Sequence, residues 1–272
     1  MIDDILNMLE GAYAENTLRA YASDMHVFAN FITPNEPLLP ASTELIADYI
    51  AALAEQRKSF ATIKRHVATL SAMHRFGGFE DPTKAIGVKL APRRAGRQLG
   101  SAQRQVAPIN HPLLDRMLAT CENSFIGARD RALLVLAYET ARRRSELVAF
   151  SVEDLSEDEG RITGIWLRKS KTDQIGTGKR LALSETGAQA IEAWVSLAQL
   201  ENGPLLRAVR GHKIEDSLSA GQVARIFKSR ATRAGVDDLA KESISGHSLR
   251  VGKAQDMLTS GASLPQIMLS GG

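Results

Sequence analysis

Residues 91–107, APRRAGRQLGSAQRQVA, carry four arginines with Gly, Pro and Ser and almost no large apolar side chain. A stretch like this cannot run through a hydrophobic core, so it reads as a linker that divides the 272-residue chain in two. Each half must then bury a core of its own, and a 44% hydrophobic content supplies the material. We expect a first domain over 1–92, a basic linker over 93–107 and a second domain over 108–272.

The first domain reads as helices. Leu18, Tyr21, Met25, Phe28 and Ile32 recur at helical spacing, with Asn16 and Thr17 as caps and Pro34 and Pro37 as the stop. Ile46, Tyr49, Ile50 and Leu53 form a second stripe opening at Ser42 or Thr43. Ile63, Val67, Leu70 and Met73 form a third, opening near Ser59 and stopping at Gly77 and Gly78. These stripes are core. In the second domain Pro112 opens a helix through Met117, and 129–138 reads as a buried helix. Further helices are expected at about 185–200, 219–234 and 248–260. Ile162, Ile165 and Leu167 suggest one strand and Lys179 to Leu183 another, with Asp173, Gly176 and Gly178 in the turn of a hairpin. The expected class is therefore mainly α, with one small antiparallel sheet.

Several functions are excluded. The one cysteine, Cys121, allows no intrachain disulfide and suits a reducing cytosol. The N-terminus, MIDDILNMLE, is acidic and unlike a signal peptide, and no apolar run approaches the roughly 18–20 residues of a membrane span. Phosphate-loop, dinucleotide, nucleophile-elbow and zinc spacings are absent, so we expect no metal and no cofactor. Net charge is +3 and the pI about 9.0. The basic residues are nevertheless segregated, at Arg93, Arg94, Arg97 and Arg104, at Arg142 to Arg144, around Arg168 to Arg180, and from Arg225 to Arg233. Such runs read either as solvated faces or as a surface that tracks nucleic-acid phosphates.

Three short segments carry chemistry. ETARRRSELVAF, 139–150, sends three consecutive arginines out of a buried helix, so they point different ways, and Glu146 lies three residues beyond Arg143, close enough to orient it. Lys171 sits at the tip of the expected hairpin. In GHSLR, 246–250, His247 and Arg250 share one face of a helix start, where free N–H groups favour an anion. Taken singly, each has a plain structural reading: a basic helix end, a solvated lysine, a packed imidazole.

In this order, Arg143, Lys171, and His247 with Arg250 resemble the active-site signature of the tyrosine recombinase, or phage integrase, family, in its Cre-like group. The family box similar to TGLRxSEL stands here as Thr140-Ala141-Arg142-Arg143-Arg144-Ser145-Glu146-Leu147, with Ala for the usual glycine and Arg142 for an apolar residue. The HxxR box is intact, and RKSKT, VEDLS, ENTLRAY, ATIKRHVATLSAMHR and SGHSLRVGKAQDMLTSGASLPQIMLSGG also look Cre-like, so the resemblance spans nearly the whole chain.

The resemblance implies a helical, SAM-like core-binding domain and a mostly helical catalytic domain that close as a C-shaped clamp on DNA. It implies metal-free transesterification through a 3′-phosphotyrosine. Arg143 and Arg250 would bind the scissile phosphate, Lys171 would protonate the leaving oxygen, His247 would assist proton transfer and contact the phosphate, and Glu146 would orient the first arginine's helix or pair with His247. Arg19, Lys64, Arg65, Arg94, Gln222 and Arg225 would contact DNA. Gly221 stands where the Cre-like pattern has a base-reading arginine, so the target sequence does not carry over. The partner implied is duplex DNA with an inverted-repeat site, held by a tetramer on paired sites in the cytoplasm at the nucleoid. The family places its nucleophilic tyrosine after the Gly-Gly of the tail. Here the sequence ends at Gly271-Gly272, and Tyr13, Tyr21, Tyr49 and Tyr138 all precede the HxxR box. We therefore expect a chain truncated before its nucleophile, which binds DNA without cleaving it. The alternatives are a regulatory DNA-binding protein of recombinase ancestry and, against the two-domain length and the Cre-like boxes, a type IB topoisomerase relative.

Overall fold

The computed structural model describes residues 1–34, 36–99, 105–170 and 177–271. It falls into two compact units, Met1–Gln103 and Arg104–Gly272.

The first unit packs α1 (Ile2–Met8), α2 (Glu15–Ala29), α3 (Thr43–Glu55), α4 (Phe60–Phe76) and α5 (Ile86–Leu99) around Phe28, Ile46, Tyr49, Ile50, Leu53, Ile63, Leu70 and Met73. The serine caps lie where the sequence puts them: Ser42 Oγ accepts from Leu45 N at 3.1 Å and Ser59 Oγ from Thr62 N at 3.1 Å. Asn16 and Thr17 do not cap α2. The helix opens earlier, from an extended Ala14, and Glu15 supplies the negative charge its N-terminus favours.

The expected linker begins inside a helix. Residues 93–99 form the last turns of α5, which lies against α3 and α4. Val88, Ala91 and Ala95, spaced by three and four, make a narrow stripe of mostly small residues that suffices for packing, while Arg93, Arg94 and Arg97 lie off this stripe. The absence of large apolar residues made this segment read as linker. Close approach explains the absence: a Cβ on Gly96 would stand 3.1 Å from the Phe60 ring.

The second unit contains α6 (His111–Ala119), α7 (Phe125–Thr140), α8 (Arg144–Leu147), β1 (Leu155–Asp158), β2 (Arg161–Leu167), β3 (Lys179–Ala182), α9 (Glu185–Leu197), β4 (Val209–Arg210), β5 (Lys213–Ile214), α10 (Ala220–Arg233), α11 (Asp238–Glu242), α12 (Ser248–Thr259) and α13 (Leu264–Gly271). The sheet is antiparallel in the order β1-β2-β3, with Ile165 opposite both Leu155 and Leu181. β1 falls in the acidic run and gave no strand signal. It pairs with β2 because Glu159 and Gly160, both at positive φ, close a two-residue hairpin. Of the β2–β3 turn, Asp173 and Gly176 lie outside the described residues. β4 and β5 form a separate two-stranded ribbon.

α7 runs through the middle of this core, with Leu133, Leu134 and Leu136 fully buried. Its first turns hold a buried charge network. Asp130 accepts from Arg129 Nε at 2.6 Å and from Arg230 Nε of α10 at 2.7 Å, and Arg230 also reaches Glu122 at 3.1 Å. α12 crosses the strand of chain before α6 so closely that a Cβ on Gly252 would lie 1.9 Å from the Ile109 carbonyl oxygen. The network holds α10 to α7, and the close crossing holds α12 to the entry of α6.

Candidate active site

The site is built at the C-terminal end of α7. There Ala141 adopts a left-handed conformation, φ 50° and ψ 32°, and its N–H still bonds to the Ala137 carbonyl. This reversal is why a glycine suits the position, and an alanine bears about 1–2 kcal/mol of strain in holding it. Arg143 then caps α8. Its backbone N–H donates to Glu146 Oε2 at 3.0 Å and its Nη1 to Glu146 Oε1 at 3.0 Å. Glu146 is 8% exposed, so one buried carboxylate fixes both the main chain and the side chain of Arg143.

The three arginines diverge as their spacing requires. Arg142 turns inward and is 2% exposed; its Nε donates to the Thr140 carbonyl at 2.7 Å and its Nη2 to the Ser270 carbonyl of α13. Arg144 takes another direction, and its side-chain carbons lie against Gly246. Arg143 keeps its own course, held by Glu146.

α12 contributes His247 and Arg250. Ser248 Oγ accepts from Ser245 N at 2.9 Å, and the Ser248 carbonyl accepts from Ile109 N at 2.9 Å, which fixes the entry to the helix. His247 is exposed at the N-cap. Its pKa lies below the ordinary imidazole value, through partial burial first and then the charges of Arg250, Arg144 and Arg143. Burial and then Arg143 likewise lower Arg250, against the pull of Glu146. Arg142 is lowered mainly by burial, with Glu146 opposing and Arg250 and Arg143 adding. Arg142, Arg143, Arg250, Glu146 and His247 are thus electrostatic neighbours. Three guanidinium groups with one carboxylate leave an excess of positive charge, the condition for holding a multiply charged oxyanion.

Of the residues expected from the sequence, Arg143, Glu146, His247 and Arg250 come together here. Lys171 lies outside the described residues. On α10, Arg225 is exposed, whereas Gln222 Oε1 accepts from Ser219 N at 2.8 Å and serves as a cap. In the first unit Arg19 pairs with Glu15 at 3.2 Å, Lys64 Nζ sits 5.7 Å from the Phe60 ring centroid, and Arg94 is exposed on α5. Arg65 is committed in part to buried Asp24 at 2.9 Å, in a network where Asp24 also accepts from Thr69 and His66 meets Tyr49 Oη at 2.8 Å. Sequence reasoning missed this network and the inward turn of Arg142. The only signal for the latter was an arginine where the resembling box holds an apolar residue. Among the described residues no three His, Cys, Asp or Glu side chains gather as a metal site, and no helix is long and apolar enough to cross a membrane.

The profile described as the phage integrase family matches residues 109–272, and that of the phage integrase N-terminal SAM-like domain matches 5–77. The chain is 36% identical over 261 residues to an integrase/recombinase xerD homolog of Selenomonas ruminantium, covering 90% of this chain and 74% of that one. It is 29% identical over 279 residues to recombinase cre of Escherichia phage P1, covering 96% and 81%. The fold is shared with a lambda integrase dimer bound to a COC′ core site, at TM-score 0.65 and 18% identity over 99% of this chain and 91% of that one. It is also shared with the Tn1549 transposon integrase in complex with transposon right-end DNA, at TM-score 0.68 and 13% identity over 99% and 90%. The family profile over residues 109–272 and the 36% identical relative define the class of protein. The chain belongs to the phage integrase family, the tyrosine recombinases.

Proposed function

We propose that this chain binds duplex DNA as a subunit of a site-specific recombinase and holds the scissile phosphate between Arg143 and Arg250. The observation that carries this reading is the hold of buried Glu146 on the main chain and side chain of Arg143, with Arg250 and His247 close enough to Arg143 to feel its charge. In phosphoryl transfer, negative charge grows on the nonbridging oxygens. Planar, permanently charged forks suit that charge, and one preorganised donor is commonly worth about 2.7–4 kcal/mol of barrier. His247, neutral near pH 7, would move a proton at the attacking oxygen, and Lys171 would deliver one to the leaving 5′-oxygen. Arg19, Lys64, Arg65 and Arg94 of the first unit and Gln222 and Arg225 of α10 would contact the duplex. The target would be an inverted repeat in the cytoplasm, at the nucleoid. A tetramer on paired sites is supported by the likeness of fold to a lambda integrase tetramer bound to a Holliday junction.

None of the four tyrosines acts as nucleophile in this reading. The Tyr49 and Tyr138 hydroxyls are engaged by His66 at 2.8 Å and Asp256 at 2.6 Å, and burial raises the pKa of Tyr21, Tyr49 and Tyr138. Tyr13 packs on Tyr21 and Phe76. In this reading residues 1–272 bind duplex DNA and none of these four tyrosines cleaves it; a regulatory DNA-binding role is the second reading. A target selected from random duplexes, rebuilt with a nick beside each candidate phosphate, tests both statements. Retarded complexes without a denaturant-resistant adduct are expected. A covalent adduct would mean that one of the four tyrosines attacks, and no selected target would remove the recombinase reading.

A further inference from the structure

We infer that Arg142 is a positioning residue of the phosphate site, tying the last turn of α13 to the corner between α7 and α8. Its guanidinium is buried and spans Thr140 O on one side and Ser270 O on the other. Both acceptors are backbone carbonyls. The Ser270 carbonyl lies in the last turn of a helix, where the partial charge is negative. The neighbouring carboxylate, Glu146, is already engaged by the main chain and side chain of Arg143. Without α13, Arg142 would keep the Thr140 carbonyl and the attraction of Glu146 but lose its second acceptor, beside two further cations, Arg143 and Arg250, that repel it. The two halves of the corner therefore hold each other.

Other contacts bring α13 to the same place. Lys179 Nζ of β3 donates to Leu269 O at 3.1 Å, and a Cβ on Gly271 would stand 3.3 Å from Arg250 Nη2. The last turn of α13 thus lies directly against one of the two phosphate-binding arginines. At 2% exposure Arg142 cannot reach a DNA phosphate itself. It acts by setting where Arg250 and α13 stand relative to Arg143, and in that respect the inference rests on the phosphate reading above.

The test uses the full chain with Arg142→Leu, which restores the apolar residue type of the resembling box, and Arg142→Lys, which keeps the charge without the planar fork. Two quantities are read: hydrogen exchange of the α13 amides, and the response of the 13C-labelled His247 ring to inorganic phosphate. In both variants α13 should exchange roughly tenfold faster while α7 and α9 keep their protection. Phosphate affinity at His247 should fall roughly fivefold or more in both. Unchanged α13 exchange, or full recovery of phosphate affinity by lysine, would overturn the positioning role. If the wild-type ring ignores phosphate, the phosphate reading fails, whatever α13 does; and if α13 exchange then also stays at the wild-type rate in both variants, the tie fails too.

Discussion

Arg143 and Arg250 carry the proposed chemistry, and each should be separable from its neighbours by one substitution. A hydrogen bond to a charged group is worth about 1.5–3 kcal/mol, so Arg143→Ala or Arg250→Ala should weaken inorganic phosphate binding roughly ten- to a hundredfold. Titration followed at the His247 ring measures this, and equal affinity would remove that arginine from the site. His247 supplies a pH test. Its folded pKa lies below the unfolded value of about 6.5, as does that of buried His66, whose main cause is burial, opposed by Asp24. The folded state therefore binds fewer protons, and stability is fully present above that pH. It should be lost as pH falls below about 6.5 through the folded values, which thermal melts between about pH 7.5 and 5 would show as a falling Tm. Bound phosphate should raise the His247 pKa by adding negative charge; a constant value would deny contact. At this scale much was legible. The three-residue spacing of Arg143 and Glu146 gave their pairing, and that of His247 and Arg250 their shared face. The direction of Arg142 was not legible, because it depends on Ala141 reversing the backbone and on a helix more than a hundred residues further along the chain.

Helix placement rests on two locks, each open to test. Gly252→Ala puts a methyl group where the Ile109 carbonyl stands, a clash with backbone that cannot rotate away. Overpacking of this kind costs typically about 1–3 kcal/mol, and α12 with His247 and Arg250 should shift. Urea unfolding measures the loss, and unchanged stability would contradict the close crossing. Asp130→Ala leaves Arg129 and Arg230 buried without their shared carboxylate and should cost about 3–5 kcal/mol, read from the same unfolding curves. α3 and α4 were readable from their apolar period and α7 from its continuous buried run, and α10 was expected over about its observed span. β1 was not, since its acidic residues lack strand preference and its pairing comes from the Glu159–Gly160 turn. The end of α5 was not, since its packing uses small side chains that leave no hydrophobic pattern.

On the scale of the whole molecule, each unit buries its own core, and basic side chains are exposed in both: Arg19, Lys64, Arg93 and Arg94 in the first, Arg225 in the second. A net charge of only +3 means that this distribution, rather than total charge, must drive any binding to DNA. Division into two units was visible in the sequence because large apolar residues become scarce after residue 91, although the helix itself continues to Leu99. The salt dependence of duplex binding, compared between the wild-type chain and the double variant Arg143→Ala with Arg250→Ala, tests the phosphate site most directly. We predict that log K for the wild type falls steeply and linearly with log salt. The double variant should have a slope shallower by about 0.9 for each phosphate it no longer neutralises. A flat wild-type response, or identical slopes, would contradict a phosphate site at these two arginines.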